Sequence, residues 1–251
     1  MHIETAITSL VGHREENQDA VGIERREGAV FAVVVDGLGG HAEGAIAAQH
    51  ALGASLDAFA KAELPIENPS RFLEQTAAQA HMAVSRLGAH LPVELMPRAT
   101  YAACLVQGNY ANWLHIGDSR VYHLRESSVQ ERTRDHSHVE MLLQTGLIAE
   151  HDIAAHPLRN FVESCLGGRT APPLMDVATD RHLRPNDVLL VCSDGLWSPL
   201  DESTITEAFS DQDGTLPENL KALCENAVAA AAPNSDNTTA AAIRRVSPDK
   251  D

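Results

Sequence analysis

The segment FAVVVDGLGGHAEG, residues 31–44, runs from apolar, strand-forming residues into the carboxylate of Asp36 and then into three closely spaced glycines. Two chemistries use such a segment. One is phosphate binding by a glycine-rich turn, and the other is a metal ion held at the end of a strand. The other aspartates of the sequence distinguish between them.

The glycine turn first suggests a dinucleotide site. Residues 37–42 match the pattern G-x-G-x-x-G/A between a predicted strand and a predicted helix. The acid that would bind the ribose should end a second strand, but Asp57 falls inside the helical pattern of residues 43–62. Asp36 would also place negative charge beside the pyrophosphate. The pattern therefore disfavours a dinucleotide.

Four aspartates lie at or near the ends of predicted strands: Asp36, Asp118 and Asp194 follow apolar segments, and Asp236 comes before the last strand. Asp19 adds a fifth carboxylate. A single aspartate of this kind is more often a turn or helix-cap residue. Five carboxylates on rigid strand ends repel one another unless a cation neutralises them. Mg²⁺ and Mn²⁺ prefer such oxygen ligands, and the glycine after Asp36 allows close backbone approach. The aspartates therefore favour a metal site.

Zinc is the competing metal, because the chain has 13 histidines, among them His136 and His138. The sequence contains neither HExxH nor CxxC, so zinc is disfavoured. A site with two metals and several carboxylates suits hydrolysis of a phosphate ester. Such a site also uses an arginine for the phosphate, and Arg14 in the charged segment before Asp19 is the best-placed candidate.

Composition narrows the class of protein. The net charge of −16 over 251 residues disfavours nucleic acid and anionic membranes as partners. The four cysteines form no CxxC, and Cys104 and Cys192 lie within apolar segments, which is typical of buried reduced thiols in a cytosolic protein. No stretch approaches the roughly 20 apolar residues of a membrane span, and the N-terminus does not resemble a signal peptide. We therefore expect a cytoplasmic protein.

Hydrophobic periodicity predicts the elements that must position these residues. Strands are predicted at 3–11, 29–35, 101–107, 110–116, 120–125, 187–193 and 238–246, and helices at 43–62, 70–87, 136–146, 202–209 and 216–231. Ile46 is expected on the same buried side of the first helix as Leu52 and Phe59. Because no repeat or linker interrupts the chain, we predict one domain over residues 1–246 and a frayed tail over 247–251.

Six ordered segments carry a family resemblance. They are RxxNQD at 14–19, VVDGLGGH at 34–41, IGDSRVY at 116–122, DHS at 135–137, LLVCSDGLW at 189–197 and DNTTAAAI at 236–243. In these segments the chain resembles the metal-dependent serine/threonine protein phosphatases of the protein phosphatase 2C type, and its length is similar to that of bacterial members.

The resemblance implies an α+β fold in which two antiparallel sheets pack face to face between outer helices, in four layers ordered αββα. It also implies two Mn²⁺ or Mg²⁺ ions. Asp36 would bridge them, and Asp194 and Asp236 would complete the shell of the first. The Gly37 carbonyl would bind the second ion, with Asp19 contributing through a water.

By the same resemblance, Asp118 would help to hold a third, weaker ion, and Arg14 would bind the substrate phosphate. The implied reaction is attack of activated water on phosphoserine or phosphothreonine in proteins, without a phosphoenzyme. The implied partners are phosphorylated proteins and a cognate kinase or its targets, and a monomer is the default. The alternative is a regulatory phosphoprotein-binding module with the same fold and little turnover.

Three departures from the family pattern matter. Leu38 stands where many eukaryotic members have a histidine that protonates the leaving group, so that role would pass to water or to His41. Gln18 stands where some members have glutamate. Residues 98–100 are Arg-Ala-Thr rather than Gly-Thr-Thr, which we interpret as a packing difference at a strand start.

The irregular segment 147–172 corresponds to the family's variable flap beside the active site. Four of its residues are candidates for substrate contact: His151, His156, Arg159 and Arg169. Solvation and local hydrogen bonds are equally good explanations for these side chains.

Overall fold

The computed structural model describes residues 2–38, 42–168, 171–210 and 214–246. Its strands are β1 (Ile3–Leu10), β2 (Asp19–Arg26), β3 (Ala29–Leu38), β4 (Arg98–Ala99), β5 (Tyr101–Gln107), β6 (Tyr110–Ile116), β7 (Arg120–Arg125), β8 (Ser128–Arg132), β9 (Leu166–Gly167), β10 (Asp176–His182), β11 (Val188–Cys192) and β12 (Thr238–Arg245). Its helices are α1 (Ala42–Lys61), α2 (Pro69–Leu87), α3 (His138–Gln144), α4 (Asp194–Trp197), α5 (Glu202–Glu207) and α6 (Leu216–Ala230). Two short 3-10 helices cover Val93–Leu95 and Glu150–Ala155.

The strands form two antiparallel sheets. One sheet has the order β1-β12-β11-β7-β8, and the other has the order β10-β6-β5-β3-β4-β9, with β2 also paired to β3. The predicted fold class, α+β with two antiparallel sheets, is confirmed.

Strand β3 shows why the sheets are buried on both faces. Alternate side chains of a strand point to opposite faces. Val30, Ala32 and Val34 lie in the core between the sheets, whereas Phe31 and Val33 pack in the core beneath α1 and α2. Because β3 is buried on both faces, its sequence is a continuous run of apolar residues without alternating polar positions.

Helices cover the outer face of each sheet. Phe59 of α1 and Leu73 of α2 join the core on the outer side of the seven-stranded sheet. Leu220 and Leu223 of α6 join a third core on the outer side of the five-stranded sheet. These three cores separate four layers, in the predicted order αββα.

Helix α2 begins where the sequence predicts. The side chain of Asn68 accepts a hydrogen bond from the backbone N–H of Arg71 at 3.0 Å, and Pro69 occupies the first turn. Helix α1 is also present, but the expectation for Ile46 is wrong, since it is 47% exposed. The small residues Ala47 and Ala51 face the core instead, and they let the helix approach the sheet closely.

Other element boundaries differ from the prediction. Strand β3 continues to Leu38, because Gly37 and Leu38 pair with β4. Strands β2, β8 and β10 carry alternating or mixed polarity and were not predicted from periodicity. The segment predicted as irregular contains the 3-10 helix Glu150–Ala155 and strand β9.

The predicted tail 247–251 lies outside the described residues. Within the described parts of the chain, no helix has both the length and the apolar character that a membrane crossing requires.

Candidate metal centre

Two of the predicted carboxylates face each other across neighbouring strands. Asp19, the first residue of β2, is paired in register with Asp36 of β3. The next residue, Gly37, donates its N–H to the carbonyl of Gln18 at 3.1 Å. A Cβ at Gly37 would collide with the backbone carbonyl of Gly44, so only glycine fits between β2 and the start of α1. The β2–β3 pairing thus fixes two acids at one sheet end.

The other sheet contributes two more acids. Asp194 follows the end of β11, and Asp236 lies just before the start of β12. The hydroxyl of Ser193 donates to Oδ2 of Asp19 at 2.8 Å, and the Ser193 N–H donates to the Thr239 carbonyl at 3.0 Å. Ser193 therefore connects the two sheets directly beside the acids.

Asp118 occupies the turn between β6 and β7. Gly117 before it has φ of +94°, a conformation that glycine adopts readily. Asp118 is only 7% exposed, and its Oδ1 atom has no hydrogen-bond partner among the described residues. The Trp197 indole N–H donates to the Asp118 carbonyl at 2.9 Å and anchors the turn.

These residues surround one cleft of about 520 Å³. Its lining comprises His13, Arg14, Glu15, Glu16, Gln18, Asp36, Gly37, Leu38, Asp118, Asn160, Val162, Asp194, Asp236 and Asn237. Arg14 is 58% exposed, and its Nη2 lies 2.6 Å from Oδ2 of Asp236. Six of the seven predicted site residues thus line one cleft. The seventh, Asp19, is buried and does not belong to that lining, but it is paired with Asp36.

Electrostatics shows that the acids are crowded. Burial, followed by the charges of Asp19 and Asp194, raises the pKa of Asp36 well above its ordinary value. Burial and then Asp118 raise the pKa of Asp194 in the same way. Burial raises the pKa of Asp19 to about 6, and burial with the charge of Asp135 raises that of Asp118 to about 7. Burial and mutual repulsion therefore disfavour ionisation of these acids, and a cation among them would relieve that cost.

This donor set fits a hard divalent cation. It consists of carboxylate oxygens that face one cleft, and the buried Oδ1 of Asp118 lacks a partner among the described residues. Mg²⁺ and Mn²⁺ take such oxygen ligands, and their charge would remove the mutual repulsion.

Sequence reasoning missed the residues that hold Asp36 in place. Thr100 donates its N–H to the Asp36 carbonyl at 2.8 Å, and its hydroxyl accepts the Asp36 N–H at 3.3 Å. The same hydroxyl lies 2.6 Å from Oγ of Ser119. Thr100 is the position of the Arg-Ala-Thr segment that matches the family's threonine, and it touches the backbone of the central acid, a contact that the packing interpretation of this segment did not specify. No local pattern signals this contact, because 64 residues separate Thr100 from Asp36.

Asn237 was also missed. Its side-chain oxygen accepts the Gln18 N–H at 2.8 Å, and its NH₂ group donates to the carbonyls of Val11 and Glu16. Asn237 thereby ties the loop that carries Arg14 to the start of β12. The position after Asp236, in a motif quoted for the resemblance, was the available signal.

The flap candidates had two equally good explanations, substrate contact or a local role. Asn160 and Val162 line the cleft, whereas His151, His156 and Arg159 are not part of the lining described above. Arg169 and His41, the candidate proton donor, lie outside the described residues. Leu38 lines the cleft, as its sequence position suggested.

Comparison with known proteins identifies the family. The profile of the protein phosphatase 2C family matches residues 8–235. The chain belongs to this family.

Among curated relatives, the serine/threonine protein phosphatase PstP of Mycobacterium tuberculosis is 33% identical over 232 residues. That match covers 90% of this chain and 41% of PstP, so the chain spans about two-fifths of the length of this relative.

Solved structures share the fold. The serine/threonine phosphatase of S. agalactiae superposes with a TM-score of 0.87 at 25% identity, covering 98% of this chain and 100% of that one. The catalytic domain of PstP in complex with two manganese ions gives a TM-score of 0.82 at 28% identity, covering 98% and 99%.

Proposed function

We propose that this chain hydrolyses phosphoserine and phosphothreonine in proteins, using Mn²⁺ or Mg²⁺ bound at the carboxylate cluster. One observation carries the proposal. Acids from the ends of strands in both sheets meet at one cleft. The pKa values of Asp36 and Asp194 are raised there, so a bound cation would stabilise their ionised forms. Membership of the protein phosphatase 2C family supports it.

The residues would divide the work as follows. Asp36 would contact two ions, and Asp194 and Asp236 would hold the first. The Gly37 carbonyl would hold the second, with Asp19 contributing through a water. When bound, the ions supply Lewis acidity that lowers the pKa of water and neutralises phosphoryl oxygens. The PstP structure with two manganese ions supports this number of ions.

Asp118 would take part in holding a third ion, since its Oδ1 is buried and lacks a partner among the described residues. Arg14 would bind the substrate phosphate. Its guanidinium lies at the exposed side of the cleft and already contacts one carboxylate, Asp236, at 2.6 Å. A planar guanidinium can bind two phosphate oxygens at once.

Attack by water without a phosphoenzyme is consistent with the lining. Among the described residues, the lining includes no serine, threonine or cysteine. His13 and the carboxylates are of types that can accept a phosphoryl group, and the proposal assigns Asp36, Asp194 and Asp236 to the metal ions instead. Because Leu38 offers no proton, the leaving oxygen would take its proton from water or from another residue such as His41.

We also propose the setting in which the chain acts. Its substrates would be phosphorylated proteins, with a cognate serine/threonine kinase or its targets as partners in signalling. The four cysteines are unpaired, which supports a cytoplasmic location. A monomer with one phosphatase domain over residues 1–246, with a flap near 147–172, completes the proposal.

The test is hydrolysis of p-nitrophenyl phosphate and of a phosphothreonine peptide after chelation, with Mn²⁺, Mg²⁺ or Zn²⁺ added back singly. We expect Mn²⁺ or Mg²⁺ to restore activity in the wild type and not in Asp36→Asn. Asp57→Asn, an exposed position on α1, is the matched control. A folded protein that binds metal and phosphopeptide but turns over neither substrate would favour the binding-module alternative.

A further inference from the structure

A second group of possible metal ligands lies outside the carboxylate cleft. We propose that His115, His136 and Asp176 form a separate binding site for a divalent transition-metal ion of the Zn²⁺, Co²⁺ and Ni²⁺ class. One ligand atom from each residue lies within 4.8 Å of the others. The proposal does not depend on the phosphatase activity.

The fold brings the three residues together from distant parts of the chain. His115 and Asp176 are direct partners across the β6–β10 pairing. His136 stands before α3, and its ring centroid lies 4.5 Å from that of His115. The site is therefore built on two rigid strands and one anchored loop residue.

His115 has the hydrogen-bond arrangement of a metal-binding histidine. Its Nε2 lies 2.6 Å from the carbonyl of Arg134, so Nε2 carries the proton and donates it. The free lone pair is then on Nδ1, which is buried and has no partner among the described residues. A backbone carbonyl that fixes the other ring nitrogen is the usual support for a ligating histidine.

The protonation state of His115 also suits a ligand. The residue is only 2% exposed. Burial, with a further contribution from His136, lowers its pKa to about 4. The imidazole is thus neutral near neutral pH, and a metal ion would not have to displace a proton from it.

His136 and Asp176 complete the group. Nε2 of His136 is 3.3 Å from Oδ2 of Asp176, a separation that two ligands of one tetrahedral ion can have. The side chain of His136 is 5% exposed, whereas that of Asp176 is 58% exposed. Asp176 therefore opens the site to solvent and gives an ion a way in.

Metal binding would require a change of tautomer at His136. Nδ1 now accepts the Gly117 N–H at 3.3 Å, and a metal on Nε2 would put the ring proton on Nδ1. The buried Gly117 N–H would then face a ring N–H and lose its acceptor, a cost that metal binding has to offset. Two backbone bonds that do not involve the ring keep the residue in place: His136 N–H to Gly117 at 2.8 Å, and Glu163 N–H to His136 at 2.7 Å.

The donor set indicates the class of ion. Two imidazole nitrogens and one carboxylate oxygen suit Zn²⁺, Co²⁺ or Ni²⁺, with water as a fourth ligand. Mg²⁺ and Mn²⁺ prefer sites made of oxygen atoms, such as the cleft lined by Asp36 and Asp194. The two sites should therefore discriminate between ions.

Co²⁺ titration of the protein saturated with Mn²⁺ tests the proposal, because four-coordinate Co²⁺ with nitrogen ligands absorbs visible light strongly and octahedral Co²⁺ with oxygen ligands absorbs weakly. We expect one equivalent of the strong signal, displaced by Zn²⁺. His115→Gln should abolish it, and Asp176→Asn should weaken Co²⁺ binding at least about tenfold. Asp176 is exposed, so this variant should fold even if His115→Gln does not.

His182→Gln and Asp180→Asn are matched controls on β10, and both should keep the wild-type signal. Absence of the strong signal in the wild type would overturn the proposal and leave an ordinary polar contact between His136 and Asp176. A wild-type signal in Asp176→Asn and in folded His115→Gln would overturn it as well.

Discussion

Replacing Asp19 by asparagine should stabilise the metal-free protein. Asp19 is 7% exposed and is paired with Asp36. The amide oxygen of asparagine can still accept the Ser193 hydroxyl, which now donates to Asp19 at 2.8 Å. The substitution therefore removes a buried negative charge while retaining the hydrogen bond that connects the sheets.

The pKa of Asp19 sets the magnitude. Burial, partly offset by hydrogen bonds from Ser193 and Thr239, raises it from 3.8 to about 6. The folded state then holds this proton more tightly than the unfolded state, so stability falls as pH rises from about 4 to about 6. A shift of about two units corresponds to about 3 kcal/mol above pH 6. For a chain of this size, that is roughly 6 to 12 °C in Tm.

Thermal unfolding after chelation is the assay, at about pH 4, 6 and 8. We expect Asp19→Asn to exceed the wild type by about 3 kcal/mol at the highest pH and to differ little at the lowest. Titration of groups far from Asp19, such as His115, is common to both proteins and cancels in the difference. The Asp19 charge also raises the pKa of Asp36 and Asp194, so its removal makes their ionisation easier and adds to the stabilisation at high pH. Asp57→Asn, whose side chain is 77% exposed, should show no such trend.

Addition of Mn²⁺ should reverse the order, because an ion that binds only the folded state stabilises it by mass action, and the wild type should bind more tightly. If Asp19→Asn were the less stable protein at high pH without metal, or if the difference did not change with pH, the crowding argument would be wrong.

Three further variants test other contacts. Arg14→Ala should raise KM for p-nitrophenyl phosphate about tenfold, because a charge-assisted bond to phosphate is lost; unchanged kinetics would remove Arg14 from phosphate binding. Asp187→Asn should lower the free energy of unfolding by about 3 kcal/mol in thermal unfolding, because it breaks a buried ion pair of 2.7 Å with Arg125. Its Mn²⁺ affinity, measured by calorimetry, should match the wild type. Trp197→Phe should weaken metal binding at Asp118 severalfold, since it loses a 2.9 Å bond worth about 1 kcal/mol; wild-type affinity measured by calorimetry would argue against this anchoring.

The sequence was most informative where chemistry and local structure coincide. Strand β3 could be predicted because it is apolar on both faces, and its Asp36-Gly37 end marked the site. The edge strand β10 could not be predicted. Its polar residues, such as Asp176, Asp180 and His182, interrupt the alternation of apolar and polar residues that marks a strand.

The site required tertiary information for its supports. Ordered motifs predicted which acids to consider, and six of the seven predicted residues line one cleft. The contacts of Thr100 with Asp36 and of Ser193 with Asp19 join residues far apart in the chain, and only strand register places them. The roles given to these residues stay predictions until metal binding is measured.

The histidine cluster also depends on tertiary contacts that the sequence does not reveal. The sequence drew attention to His136 and His138 as neighbours in the chain, but His138 pairs with Glu163 at 2.8 Å. His136 instead meets His115 and Asp176, which the β6–β10 register supplies.

The central claim is that the crowded aspartates form a metal centre, and equilibrium dialysis against Mn²⁺ tests it most directly. The wild type should bind at least two ions per chain, Asp194→Asn should lose at least one, and Asp57→Asn should match the wild type. Equal Mn²⁺ binding by wild type and Asp194→Asn, or no binding by folded wild type, would contradict the claim.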